Sequence, residues 1–132
     1  MEPSRLAVIP LFASLDAEHL DALAGVATET EAVEGQSLAT EGDFGHALFA
    51  IESGTAEVTH DGETVRTLGP GDVFGEVAVL KSGRRTATVT ATSPMTLIAV
   101  FKRDVWRLEQ HSPEAAARLR ALVEERLAGQ TS

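Results

Sequence analysis

The chain has 132 residues, 43% hydrophobic and 23% charged, which suits one domain with a moderate core and argues against disorder as the default state. A net charge of -9 argues against a broad nucleic-acid face, because sequence-independent phosphate binding needs clustered Lys and Arg. There is no Cys, hence no disulfide scaffold, thiolate nucleophile or Cys-based zinc site, and the absence of a long apolar run or a basic-then-apolar opening predicts a cytoplasmic protein without signal or membrane span.

Residues 1–27 read as an N-terminal helical segment. Leu20, Leu23, Ala24 and Ala27 recur at helical spacing over 16–27, with Asp16 as the N-cap and Gly25 as a weak point near the end. From 28 to 101 the pattern changes to short runs broken by glycines, at the roughly 8–12-residue spacing of a β-sandwich or barrel. Ala47, Phe49 and Ile51 alternate with Leu48, Ala50 and Glu52, and Ala56 and Val58 alternate with Thr55, Glu57 and Thr59. Asp61-Gly62 predicts a tight hairpin turn, whose central positions both want positive φ.

Residues 102–128 return to helix. The first stretch, 103–111, carries Val105, Trp106 and Leu108 on one side; Ser112 and Pro113 then cap and open a second helix over 113–127. Leu119, Leu122, Val123 and Leu127 form its apolar stripe among Arg118, Arg120, Glu124 and Glu125. Such a stripe covers the open end of the β part or serves as a dimer seam, so monomer and homodimer through this helix both stay open.

The stretch 74–89, FGEVAVLKSGRRTATV, concentrates the chemistry. Gly71 and Gly75 bracket Asp72, Val73 and Phe74, and a short apolar run long enough for one helical turn follows. Free amides at the start of such a turn favour an anion. Arg85, at the start of the next β-type run, can grip a phosphate as a fork, and Glu76 can accept hydrogen bonds from sugar hydroxyls. A nucleotide needs both, although from spacing alone a structural Glu76–Arg85 ion pair stands equally well. Arg84 sits one place early and on a β-type path points to the opposite face.

These residues resemble the phosphate-binding cassette of the cyclic nucleotide-binding domain family: Phe74, Gly75, Glu76, Ala78, then Arg85, Thr86 and Ala87. The likeness extends to EGDFGHALFAIESGTAEV (41–58) and LGPGDVFGE (68–76), and covers about 11–127. It implies a mainly β fold, a jelly-roll β-barrel (β-roll) flanked by an N-terminal helix and two C-terminal helices, forming a single domain over 1–132. It also implies site roles. Glu76 would bind the ribose 2′-hydroxyl and Arg85 the cyclic phosphate, with amide donors from Ala78 and Thr86, Gly75 packed close to the sugar, and Val77 and Ala87 completing the site. Val58, Leu68 and Arg126 would contact the base. The implied ligand is cAMP or cGMP, with cAMP favoured although Thr86 does not settle the base; no other cofactor is implied, and the C-terminal helix would carry the signal to an effector protein or domain that the sequence does not name.

Two other classes compete. A cupin-type metal enzyme needs converging His and carboxylate ligands, whereas His19, His46, His60 and His111 are scattered. Neither a nucleophile elbow nor a Walker-type loop is present, so no catalytic or metal-binding residue is expected. A degenerate scaffold of the same fold would bind only proteins, but it has no evident use for both Glu76 and Arg85.

Overall fold

A strand that is apolar on both faces needs cover on both sides, and two such strands organise this fold. The computed structural model describes residues 1–42, 47–75, 85 and 87–130. Helices α1 (Pro3–Ala7) and α2 (Ala17–Ala24) come first. Strands follow as β1 (Thr28–Ala32), β2 (Ser37–Ala39), β3 (Ala47–Ser53), β4 (Ala56–His60), β5 (Glu63–Leu68), β6 (Val73–Phe74), β7 (Thr88–Ala91) and β8 (Met95–Phe101). Helices α3 (Lys102–His111) and α4 (Pro113–Gln130) close the described chain.

The described strands pair antiparallel in two sheets of four, ordered β1-β8-β3-β6 and β2-β7-β4-β5. Residues from both sheets share one apolar cluster, which includes Ile51, Ala56, Val58, Leu68, Phe74, Val89 and Leu97. The roll implied by the family likeness is therefore present as two facing sheets, and helix and strand contribute roughly equal lengths among the described residues. In β3 and β8 the alternate residues are also buried. Leu48, Ala50, Ile98 and Val100 pack outward, with Val73, into a second cluster built from Leu6, Ile9, Phe12, Leu23, Leu108, Leu119 and Val123 of the helical layer. Each fully buried Leu or Ile contributes ~1.5–3 kcal/mol relative to exposure.

Local chemistry sets the boundaries. Asp16 caps α2 by accepting from the His19 amide at 3.0 Å, as the sequence predicts. The helix stops at Ala24 rather than 27, with Gly25 as its C-cap, because the chain must turn into β1 at Thr28. Helix α1 falls within the helical segment expected over 1–27, as a separate short helix before α2; its signal is Pro3, a residue suited to a first helical turn. Arg5 ties this helix to β3 and β1 through Glu52 and Glu29, and Glu52 first, then Glu29, holds the guanidinium proton above its ordinary affinity. Asp61 and Gly62 adopt φ of 52° and 81°, the predicted hairpin turn between β4 and β5. In α3 the buried Asp104 carboxylate accepts from the Phe101 amide at 2.9 Å, capping the helix where its dipole favours an anion.

Two helical expectations need revision. Val105 and Leu108 are buried, but Trp106 is 62% exposed, since adjacent helical positions lie about 100° apart and cannot share one narrow face. The α4 stripe is buried, with Leu119, Leu122 and Val123 covered and Leu127 partly so, yet it lies in the helical layer over the outer face of one sheet rather than across the end of the roll.

Candidate ligand-binding site

The lead-in to the site is a tight loop folded onto β3. The Gly69 amide donates to Asp72 Oδ2 at 2.8 Å, the Gly71 amide to the Ile51 carbonyl at 2.8 Å, and the Ile51 amide to the Asp72 carbonyl at 2.9 Å. Strand β6 then pairs Val73 and Phe74 with Ala50 and Phe49. The Phe74 ring stacks on Phe49, with centroids 5.2 Å apart, so the last residues before Gly75 are fixed by both backbone and side chain.

Gly75 and Arg85, ten positions apart in sequence, meet here. Gly75 adopts φ 80°, and a Cβ placed on it would overlap the Ala47 carbonyl oxygen and lie 2.5 Å from Arg85 Nη1. The absent side chain is what lets the guanidinium approach the main chain. Arg85 Nη2 donates to the Ala47 carbonyl at 3.0 Å, and its own carbonyl accepts from the Gly42 amide at 2.9 Å. The fork is thus oriented at both ends of the residue by main-chain groups.

The other expected site residues distribute as follows. Ala87 is partly buried against the interior of the roll. Val58 and Leu68 lie in that same interior, on β4 and β5, as core residues. Arg126, on α4, donates to the Val73 carbonyl at 3.5 Å, two residues before Gly75. Glu76, Val77, Ala78 and Thr86, together with Arg84, lie outside the described residues. Sequence reasoning missed the Ala47 carbonyl, which any residue at that position would supply and which therefore leaves no mark in the sequence.

Among the described residues, one group has donor atoms close enough to share a cation: Glu41, His60 and Asp61, all within 4.8 Å of one another. One imidazole beside two surface carboxylates is not the converging multi-histidine set that a cupin-type centre requires. No described helix is long and apolar enough to cross a membrane.

Residues 29–112 match the family described as the cyclic nucleotide-binding domain. The chain belongs to that family. This cyclic nucleotide-binding domain is 35% identical over 123 residues to the cyclic AMP receptor protein of Thermus thermophilus, a match covering 89% of this chain and 57% of that protein. It is 39% identical over 102 residues to a cAMP-dependent protein kinase regulatory subunit of Yarrowia lipolytica, covering 76% of this chain and 27% of that subunit. The N-terminal domain of a transcriptional regulator from Streptomyces coelicolor shares the fold with a TM-score of 0.82 and 31% identity, over 96% of this chain and 94% of that one. The domain spans little more than half the length of the Thermus protein and about a quarter of the Yarrowia subunit. The family match contains Gly75, Arg85 and the β4–β5 hairpin, while all of α4, including Arg126, lies beyond it.

Proposed function

We propose that the chain is a cyclic nucleotide sensor that prefers cAMP to cGMP and reports binding through the position of α4. The single observation that carries this reading is the guanidinium of Arg85, packed on the bare Cα of Gly75 and oriented by the Ala47 carbonyl. A preorganised fork of this kind suits a singly charged cyclic phosphate, because its geometry is set before the ligand arrives. In this reading Glu76 accepts from the ribose 2′-hydroxyl, the amides of Ala78 and Thr86 add donors to the phosphate, and Val77 and Ala87 line the sugar-phosphate. Val58, Leu68 and Arg126 serve the base. The chain carries a net charge of -9, so affinity comes from this local cluster rather than from long-range attraction.

Binding moves a helix only if the ligand has different affinity for two arrangements of it. Arg126 supplies the link, since it joins α4 to the Val73 carbonyl at the threshold of the cassette. A ligand that recruits Arg126 must compete with that bond, and the helix shifts in response. The effector is a protein or domain outside this chain, in keeping with the chain's partial span of its relatives. The role is ligand binding, not catalysis. A homodimer through α4 would use the outer surface of that helix, because its apolar stripe is already covered.

The test is calorimetric titration of ligand-stripped protein with cAMP, cGMP and 5′-AMP. Preference for the cyclic forms, with cAMP tightest, is expected. Equal affinity for 5′-AMP, or no heat with any of the three, would end the proposal.

A further inference from the structure

Arg85 lies three positions before Thr88, the first residue of β7, and three hydrogen bonds link these two residues to Glu41, Gly42 and the β4–β5 hairpin. The Gly42 amide donates to the Arg85 carbonyl at 2.9 Å. The Glu41 amide donates to Thr88 Oγ1 at 2.9 Å. The Asp61 amide, at the tip of the β4–β5 hairpin, donates to Glu41 Oε1 at 3.1 Å. In the ladder between β4 and β7 the outermost pair is Thr59 opposite Thr88, so the tip at His60 and Asp61 lies just beyond the start of β7. Glu41 stands between the two, with its backbone on Thr88 and its carboxylate on the hairpin.

We infer that Glu41 and Thr88 are positioning residues for Arg85, bracing its main chain against the β4–β5 hairpin tip so that the guanidinium presents its fork in one direction. This rests on the reading that Arg85 holds the cyclic phosphate, and it adds what aims that residue. A fork delivers two parallel hydrogen bonds only when its plane is fixed, and a long side chain is fixed only when both of its ends are. The far end is held by the Ala47 carbonyl, while the near end depends on the Glu41–Gly42 turn. Thr88 contributes an acceptor oxygen, which Ser retains and Val removes at nearly constant shape. Glu41 also acts as an acceptor. His60 Nδ1 lies 3.5 Å from the same oxygen but its side chain is 55% exposed, where an ion pair adds little, so the neutral Gln serves almost as well as Glu.

The experiment is titration of cAMP into the wild-type chain, Thr88→Val, Thr88→Ser, Glu41→Ala and Glu41→Gln, with Thr88→Val repeated on an Arg85→Lys background. Thr88→Val and Glu41→Ala are expected to weaken binding roughly three- to tenfold, while Thr88→Ser and Glu41→Gln stay within about twofold of wild type. On the Arg85→Lys background the loss from Thr88→Val should shrink to under about twofold, because a flexible ammonium has no plane to aim. Wild-type affinity in Thr88→Val or Glu41→Ala overturns the inference, as does an equal loss on both backgrounds, which would mark general loosening of the fold. A wild-type chain that binds neither cAMP nor cGMP overturns the ligand reading itself and this inference with it, so the two failures are told apart.

Discussion

Replacing Gly75 with Ala tests the contact on which the site depends, and Gly62 provides an internal control. Both glycines have nearly the same left-handed backbone, φ 80° and 81°. A Cβ at Gly62 would meet nothing within 4 Å, whereas one at Gly75 would overlap the Ala47 carbonyl and crowd Arg85 Nη1. Gly62→Ala should therefore cost only the backbone penalty, ~1–2 kcal/mol. Gly75→Ala adds an overpacking penalty of ~1–3 kcal/mol, because a strand carbonyl yields far less readily than a side-chain tip. For a chain of this length each kcal/mol lowers Tm by roughly 3–6 °C, so thermal unfolding without ligand should separate the two variants clearly. Cyclic AMP titration supplies the second readout. The displaced guanidinium should cost Gly75→Ala about tenfold or more in affinity, while Gly62→Ala binds as wild type. Equal drops in Tm for the two variants, or native affinity in Gly75→Ala, would refute the packing of Arg85 on Gly75.

Removing the fork altogether has a larger effect. Arg85→Ala should weaken cAMP binding by about 10–150-fold, the value of a charge-assisted bond, and Arg84→Ala far less; similar losses in calorimetry would mean that the wrong arginine has been assigned. Glu76→Gln should chiefly affect ribose recognition, so 2′-deoxy-cAMP should lose little further affinity in that variant; a full additional loss would place the 2′-hydroxyl elsewhere. Away from the site, Asp104→Ala removes the buried acceptor of the Phe101 amide and should destabilise the chain by ~1–3 kcal/mol in chemical denaturation, with cAMP affinity unchanged once the protein is folded.

Features governed by short-range chemistry were readable in the sequence. The Asp61-Gly62 turn and the Asp16 cap each follow from a few adjacent residues and appear where expected, and the α4 stripe is buried as its spacing implies, although against other helices rather than the end of the roll. Five residues are too few for α1 to display a period of its own within the 1–27 segment, and apolarity alone does not give Trp106 its angular position. Strand order was less legible. Thr28 of β1 pairs with Ala99 of β8, across most of the chain, and no local pattern announces such a partner. At the candidate site, motif and resemblance single out Gly75 and Arg85, and the structure brings these two residues together. Their supports were not found. Ala47 acts through its carbonyl and Gly42 through its amide, groups that every non-proline residue possesses, so nothing in the identity of either residue signals the role.

The buried stripe of α4 limits how the proposed output through that helix could work. If α4 lifted away from the molecule, its own stripe of Leu119, Leu122 and Val123 and the faces of α2 and α3 on which it packs would be opened toward water, a greasy surface liable to self-association. If α4 carries the signal, it would glide along its helical neighbours, trading one oily contact for the next and never leaving that surface bare. On that proposal the stroke would be short and sideways, and shortening the chain before α4 should yield clumping rather than a permanently switched-on device.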